Sequence, residues 1–281
     1  MNFLRNILGE LLPFGLFSHR FMANALIAII FVSILFGLLG TMIVNNKLSF
    51  FSDALGHSTI FAIAASIFLR INANYLSLSL VIFGVLFSIT IIQIKYMSKT
   101  SVSTVISILS SVTIAFGLIF MSKNGGMNKY ANLFIGDILT ISDQEIYWLI
   151  LIFIFILSVW RYIYPKILAI SIDSTIASSR GISPKLIETL FTCLIALIVS
   201  YSVRWIGVLI INALMIIPAA SARNIAQNIK QYTIISVVIS MISSITGLIL
   251  SYIFGLPSGP SIVVCCTAFY AISICQRHFK H

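Results

Sequence analysis

The chain has 281 residues, of which 59% are hydrophobic and only 9% are charged, and its mean hydropathy is +1.10. Soluble domains carry about a quarter charged residues, so this composition excludes a soluble globular protein and indicates an integral membrane protein. The net charge of +10 is what cytoplasmic retention of basic loops produces in a membrane protein, so it does not call for a nucleic-acid partner.

The N-terminal stretch, residues 1–22, is interrupted by Glu10 and Pro13, and we expect it to be an interfacial segment lying on the membrane. A spanning helix needs about 20 mostly apolar residues, and long apolar segments of this kind follow. They cover about 23–44, 75–94, 102–121, 144–164, 186–203, 206–222, 231–254 and 259–275. A ninth apolar segment, 55–70, is shorter.

These segments are too long and too uniformly apolar for the strands of a membrane barrel. We therefore predict an all-α, polytopic integral membrane protein with about eight transmembrane helices and a short re-entrant or broken helix near 50–70. The whole chain, 1–281, is expected to form a single transmembrane domain. If 50–70 returns to the side it came from, most Lys and Arg residues fall on one side, which predicts that both termini are cytoplasmic.

The stretch "FFSDALGHSTIFAIA", residues 50–64, contains Asp53 and His57 in an otherwise apolar segment. An Asp near the bilayer core costs about 3 kcal/mol, so it usually marks a protein interior or a pathway. A spacing of four residues brings the two side chains onto one helix face. Carboxylate oxygen and imidazole nitrogen suit Zn²⁺ or Mn²⁺, although two ligands do not close a site. The alternative is that Asp53 only caps the following helix.

Three further stretches carry polar or helix-breaking residues. The segment 160–190 is the longest predicted cytoplasmic loop, and its run after Asp173 predicts a short helix that Asp173 caps and Gly181 ends. The segment 204–227 ends in a Pro and small residues, which predicts a kinked, closely packed helix. In "NLFIGDIL", Asp137 is either a polar group near the outer mouth or a helix cap, and we favour the cap.

Taken in chain order, "GLLGTMIVNNKLSFFSDALGHSTIFAIA", the 160–190 loop, "GVLIINALMIIPAASAR" and "LSYIFGLPSGPSIVV" resemble one family. It is the membrane permease subunit of bacterial ABC importers for zinc and manganese. The resemblance extends from about residue 23 to 275. The blocks "IIPAASAR" and "GPSIVV" are more similar to the zinc branch, and a manganese or iron importer is the alternative.

The resemblance implies a multi-pass permease of the bacterial plasma (inner) membrane that pairs with a second copy. It also implies two cytoplasmic ABC ATPase partners and an external or periplasmic metal-binding protein. Asp53 and His57 would form the metal site, and the 165–185 loop, with Asp173, Ala177 and Gly181, would couple to the ATPase. Zn²⁺ or Mn²⁺ would be the transported substrate, with no cofactor bound permanently.

The absence of certain enzyme motifs from the sequence is also informative. It has no G-x-x-x-x-G-K-[ST] phosphate loop, so we expect a transport subunit and not an enzyme, with ATP hydrolysed by a separate partner. An intramembrane zinc protease would need H-E-x-x-H, which is absent, and "FIGD" lacks the first glycine of an intramembrane aspartyl protease. A secondary transporter driven by an ion gradient stays open, because broken helices with acids at mid-membrane are typical of that class.

Overall fold

The computed structural model describes residues 20–71, 75–98, 100–123, 136 and 138–278. These residues form helices and short connections, with no strand among them. The helices, numbered in chain order, are α1 (Arg20–Asn45), α2 (Ser49–Phe68), α3 (Leu76–Met97), α4 (Val102–Lys123), α5 (Asp143–Ile172), α6 (Ser174–Ser179), α7 (Pro184–Ile206), α8 (Val208–Ile225), α9 (Ile229–Phe254) and α10 (Ser258–His278). A short 3-10 turn, Ile138–Thr140, precedes α5.

Eight of the described helices are long and apolar enough to cross a membrane: all except α2 and α6. They coincide with the eight segments expected from hydropathy, so the all-α fold with about eight transmembrane helices is confirmed. Of the N-terminal segment predicted to be interfacial, residues 1–19 lie outside the described residues.

Direct hydrogen bonds define one end of the helix bundle, which we call the upper end. Asn24, near the start of α1, donates to Asp143 at the start of α5 (2.7 Å). The hydroxyl of Tyr201, near the end of α7, donates to a carbonyl in the first turn of α5. Arg204, also near the end of α7, donates to Ser77 at the start of α3 (2.7 Å). The upper end therefore holds the starts of α1, α3 and α5 and the end of α7.

The opposite end, which we call the lower end, is defined in the same way. The end of α1 meets the start of α9, where the Tyr232 hydroxyl donates to the carbonyl of Thr41 (3.4 Å). The end of α3 meets the start of α7 through an ion pair between Lys95 and Glu188. Asn224, at the end of α8, donates to a serine hydroxyl near the end of α10. The short helix α6 also lies at this end, between α5 and α7.

Helix α2 runs from the lower end to the upper end. Three residues separate its start from the end of α1 at the lower end, and near its own end Ser66 is hydrogen-bonded to Ser79 in the first turn of α3 (2.7 Å). It is one unbroken helix of 20 residues, about 30 Å long at ~1.5 Å per residue. The segment expected to be re-entrant or broken thus has the length and direction of a crossing.

This direction separates the two ends of the described chain. Nine long helices alternate in direction, so α1 begins at the upper end and α10 finishes at the lower end. The sequence had predicted one side for both termini, on the assumption that residues 50–70 return to the side they came from. That assumption does not match the helix order, because α3 starts at the upper end, where α2 stops.

Close helix approaches depend on small residues. A Cβ atom on Gly40 of α1 would lie 2.0 Å from the carbonyl oxygen of Met215 in α8, so the two backbones are in direct contact there. Helix α9 presents a stripe of buried small residues, which are Ser236, Ser240, Ser243, Ser244, Gly247 and Ser251. Lipid offers no hydrophobic drive for helix association, so contacts of this kind, together with interhelical hydrogen bonds, hold the bundle together.

We predict that Gly40→Ala destabilises the chain more than Gly84→Ala. The new methyl group at position 40 meets backbone, which cannot move away, whereas at position 84 the nearest atom is the Ser200 hydroxyl (2.1 Å), which can rotate. Overpacking of this type costs about 1–3 kcal/mol. The measurement is the thermal unfolding midpoint of both purified variants in the same detergent. Equal midpoints, or a lower one for Gly84→Ala, would contradict the packing argument.

Candidate functional site

Asp53 and His57 lie on one face of α2. The helix begins at Ser49, one turn before Asp53, so Asp53 is inside the helix and the capping alternative does not hold. The Nε2 atom of His57 lies 3.4 Å from Oδ1 of Asp53, and the two side chains are 40% and 47% exposed, respectively. The pair therefore forms a polar patch on an open face of the chain.

The start of α8 packs against this face of α2. Helix α7 ends at Ile206 and α8 begins at Val208, with Gly207 between them at a φ of +83° that a residue with a side chain rarely adopts. Gly56 lies between the two polar residues of α2, and a Cβ on it would come within 2.4 Å of Val208. The missing side chain at position 56 thus lets α8 approach α2 closely.

This approach brings Asn212 beside Asp53. The Nδ2 atom of Asn212 donates to Oδ1 of Asp53 at 2.6 Å. The other polar atom of the amide, Oδ1, is buried and has no hydrogen-bond partner among the described residues. The sequence analysis did not single out Asn212. The signal available there was an amide in the apolar run "VLIINALMII", but its partner is 159 residues away.

The Asp53–Asn212 contact joins the first parts of two helices. Asp53 is the fifth residue of α2 and Asn212 is the fifth residue of α8. Each residue therefore lies one turn inside its helix. Asp137, the candidate for a polar group near the outer mouth, lies outside the described residues.

No group of three or more His, Cys, Asp or Glu side chains with the geometry of a metal site occurs in the part of the chain that the structure describes. Asp53 and His57 thus lie together as a pair of candidate ligands, with their side chains on the same helix face. The next residue, Ser58, is buried, and its hydroxyl is hydrogen-bonded to Thr113 of α4 (2.7 Å). This bond fixes the rotation of α2 and so the direction in which its polar face points.

At the lower end, the predicted short helix is present as α6, with both ends capped. Oδ1 of Asp173 accepts from the backbone amides of Thr175 (2.7 Å) and Ile176 (3.2 Å). The amides of Ile176 and Thr175 hold the pKa of Asp173 below its ordinary value, because they stabilise the charged form. Gly181 follows the helix with a φ of +76°.

The end of α6 has the hydrogen bonds of a Schellman motif. The amide of Gly181 donates to the carbonyl of Ser178 and the amide of Ile182 donates to that of Ala177. Ala177 is buried and packs towards the bundle, so of the three residues expected to couple to a partner it is the one that faces inward. Ile172 and Ile176, which the sequence analysis did not name, are 76% and 54% exposed.

An ion pair joins the corner after α6 to α3. Glu188, in the second turn of α7, is buried and pairs with Lys95, and the hydroxyl of Tyr96 donates to the same carboxylate oxygen (3.3 Å). Removing one partner of a buried pair leaves an uncompensated charge, which is strongly destabilising. The α6–α7 corner is therefore attached to the neighbouring helix at the lower end.

Known proteins match the chain over nearly all of its length. The zinc uptake membrane protein ZnuB of Haemophilus influenzae is 29% identical over 255 residues, which cover 90% of this chain and 96% of ZnuB. The manganese import permease ScaB of Streptococcus parasanguinis is 30% identical over 271 residues, which cover 95% of this chain and 96% of ScaB. The solved structure of PsaBC from Streptococcus pneumoniae in complex with Fab superposes with a TM-score of 0.79 at 28% identity, covering 92% of each chain.

The model of the ABC 3 transport family matches residues 18–277. This range includes the polar face of α2, the start of α8 and the capped helix α6. The chain therefore belongs to the ABC 3 transport family, as a membrane-spanning permease that is a transport subunit and not the ATPase.

Proposed function

We propose that the chain is the permease of an ATP-driven importer for a divalent metal, with zinc as the substrate. The observation that carries the proposal is the pair of Asp53 and His57 on one face of a helix that runs the length of the bundle. An acid in an apolar membrane helix is costly and usually marks a pathway. Membership of an ABC family argues against the alternative of a transporter driven by an ion gradient.

A second copy of the chain would complete the site. Zinc sites are usually tetrahedral with four ligands, and each chain offers one carboxylate and one imidazole, so two copies facing each other supply four. The partial exposure of both side chains on the single chain supports this arrangement. An ion bound only where two copies meet also suits transient occupancy in a path.

Zinc is favoured over manganese by ligand chemistry. Imidazole nitrogen suits zinc, whereas manganese prefers carboxylate, carbonyl and water oxygens. ZnuB proteins are named for zinc uptake, but ScaB, named for manganese import, is similar to the same degree. Manganese is therefore the alternative substrate, with iron a further one, and the uptake assay below includes zinc and manganese.

The charge distribution supports a cytoplasmic lower end. Basic residues are more numerous at or towards that end, and those in the described part of the chain are Lys47, Lys95, Arg161, Lys166, Arg180, Lys185, Arg223, Lys230 and Arg277. The upper end has Arg20, Arg70, Lys123 and Arg204. By the rule that positive loops are retained in the cytoplasm, the chain enters the bacterial plasma membrane with α6 inside and the start of α1 outside.

Helix α6 is the proposed docking element for a cytoplasmic ABC ATPase. Its caps make it a stable feature, and the exposed Ile172, at the end of α5, and Ile176, in α6, present an apolar surface. Asp173 and Gly181 would act by holding the helix in shape, and Ala177 by seating it on the bundle. The upper end would receive metal from an external or periplasmic binding protein.

We expect Asp53→Asn to reduce zinc uptake at least about tenfold, the lower bound for disturbing even an outer partner of a metal ligand. The substitution keeps the shape of the side chain and removes its charge. His57→Ala should have a similar effect, because it removes the nitrogen ligand. The measurement is uptake of radioactive zinc and, in parallel, manganese in cells that contain the importer's other subunits.

Asp143→Asn is the matched control for this experiment. Asp143 also pairs with an asparagine, Asn24, but at the upper end and away from α2. Uptake in this variant should stay close to that of the wild type when membrane levels are equal. Wild-type uptake of both metals in Asp53→Asn and His57→Ala would exclude the pair as the metal site.

We also expect Gly181→Val to lower zinc uptake several-fold while Gly181→Asn retains it. A left-handed backbone costs an ordinary residue about 1–2 kcal/mol, and more for a β-branched one, whereas Asn tolerates it. A Cβ atom at position 181 would meet nothing within 4 Å, so the difference reports backbone strain at the end of α6 and not a collision at Cβ. Equal uptake by the two variants at equal membrane levels would count against a coupling role for α6.

A further inference from the structure

The amide of Asn212 is oriented by Asp53. Nδ2 donates to Oδ1 of Asp53 at 2.6 Å, while Oδ1 of Asn212 is left buried without a partner among the described residues. The opposite orientation would set two oxygens against each other, because a carboxylate can only accept. The amide is therefore oriented to donate to the carboxylate, although this leaves its own oxygen without a partner among the described residues.

This hydrogen bond occupies one oxygen of the Asp53 carboxylate. His57 also lies against Oδ1, at 3.4 Å. No hydrogen bond or ion pair from the described residues reaches the other oxygen, Oδ2. The carboxylate is thus held by one oxygen and has the second available for a cation.

The contact depends on helix packing and not on chain proximity. Asn212 reaches Asp53 because Gly56 lets Val208 approach α2 and because the chain turns at Gly207. A half-buried amide in an apolar spanning helix is itself unfavourable unless it has a partner. Its one described partner is the carboxylate, so we assign the amide a role in the site and not in the packing of α8.

We infer that Asn212 is the positioning residue of the metal site: it holds Asp53 by Oδ1 so that Oδ2 is presented to the passing divalent cation. The inference rests on the proposed metal-transport function. Partners that orient a metal ligand typically change metal affinity 10–100-fold when they are removed. Because Asn212 acts through Asp53, we expect its removal to change the apparent affinity for the metal.

Two substitutions at this position remove the donor. Asn212→Leu keeps the approximate volume of the side chain, and we expect the KM for zinc uptake to rise about tenfold with little loss of maximal rate. Asn212→Ala removes the donor with a smaller side chain, and we expect the same direction of change in KM.

The measurement is initial-rate uptake of radioactive zinc and manganese by cells carrying the importer's other subunits, corrected for the amount of each variant in the membrane. Asn224→Leu is the control, since it makes the same exchange on the same helix at an asparagine that is bonded to Ser273 and not to the site. It should leave KM unchanged. A role in packing alone predicts wild-type KM for Asn212→Leu, with only its thermal stability altered.

Asp53→Asn, measured in the same experiment, distinguishes failure of the positioning role from failure of the proposed metal site. If it abolishes uptake while both Asn212 variants keep the wild-type KM for both metals, the positioning role is overturned and the metal site stands. If Asp53→Asn itself transports normally, the proposed site is lost and the positioning role with it. Should Asn212→Leu fail to reach the membrane, a wild-type KM for Asn212→Ala overturns the inference.

Discussion

The contact between α2 and α8 at Gly56 is the constraint on which the candidate site depends. Elsewhere α2 packs through aromatic and hydroxyl groups, such as Ser58 against Thr113 of α4, but at position 56 the absence of a side chain admits Val208. The same approach places an amide next to the carboxylate of α2. A charged group in an apolar helix then has a hydrogen-bond donor where water would otherwise be needed.

Hydropathy predicted most of the helices because a spanning segment needs one simple property, namely about 20 apolar residues in succession. It described α2 least well, since Asp53, His57 and several hydroxyl residues dilute the apolar character of its first half. The direction of α2 depends on its contact with the start of α3 through Ser66 and Ser79. That contact is between two helices, so it cannot be inferred from composition.

The candidate site was also predictable from the sequence only in part. The neighbourhood of Asp53 and His57 follows from helix periodicity, which the sequence contains. The caps of α6 were also predictable, because Asp and Gly have local backbone preferences at helix ends. Asn212 was not, since its partner lies on another helix, and neither was the inward orientation of Ala177, which depends on how α6 rests on the bundle.

Gly207 is the single residue that joins α7 to α8. Helix α7 begins beside α6, where Glu188 is paired with Lys95, and ends at this glycine, so 23 helical residues form one rod between the two regions. Helix α7 has no proline beyond its first turn, so no proline kinks it. Its link to α8 is one residue long, so the end of α7 and the start of α8 stay close together. A tilt of α7 at its α6 end would therefore displace the first turn of α8, which holds Asn212 beside Asp53.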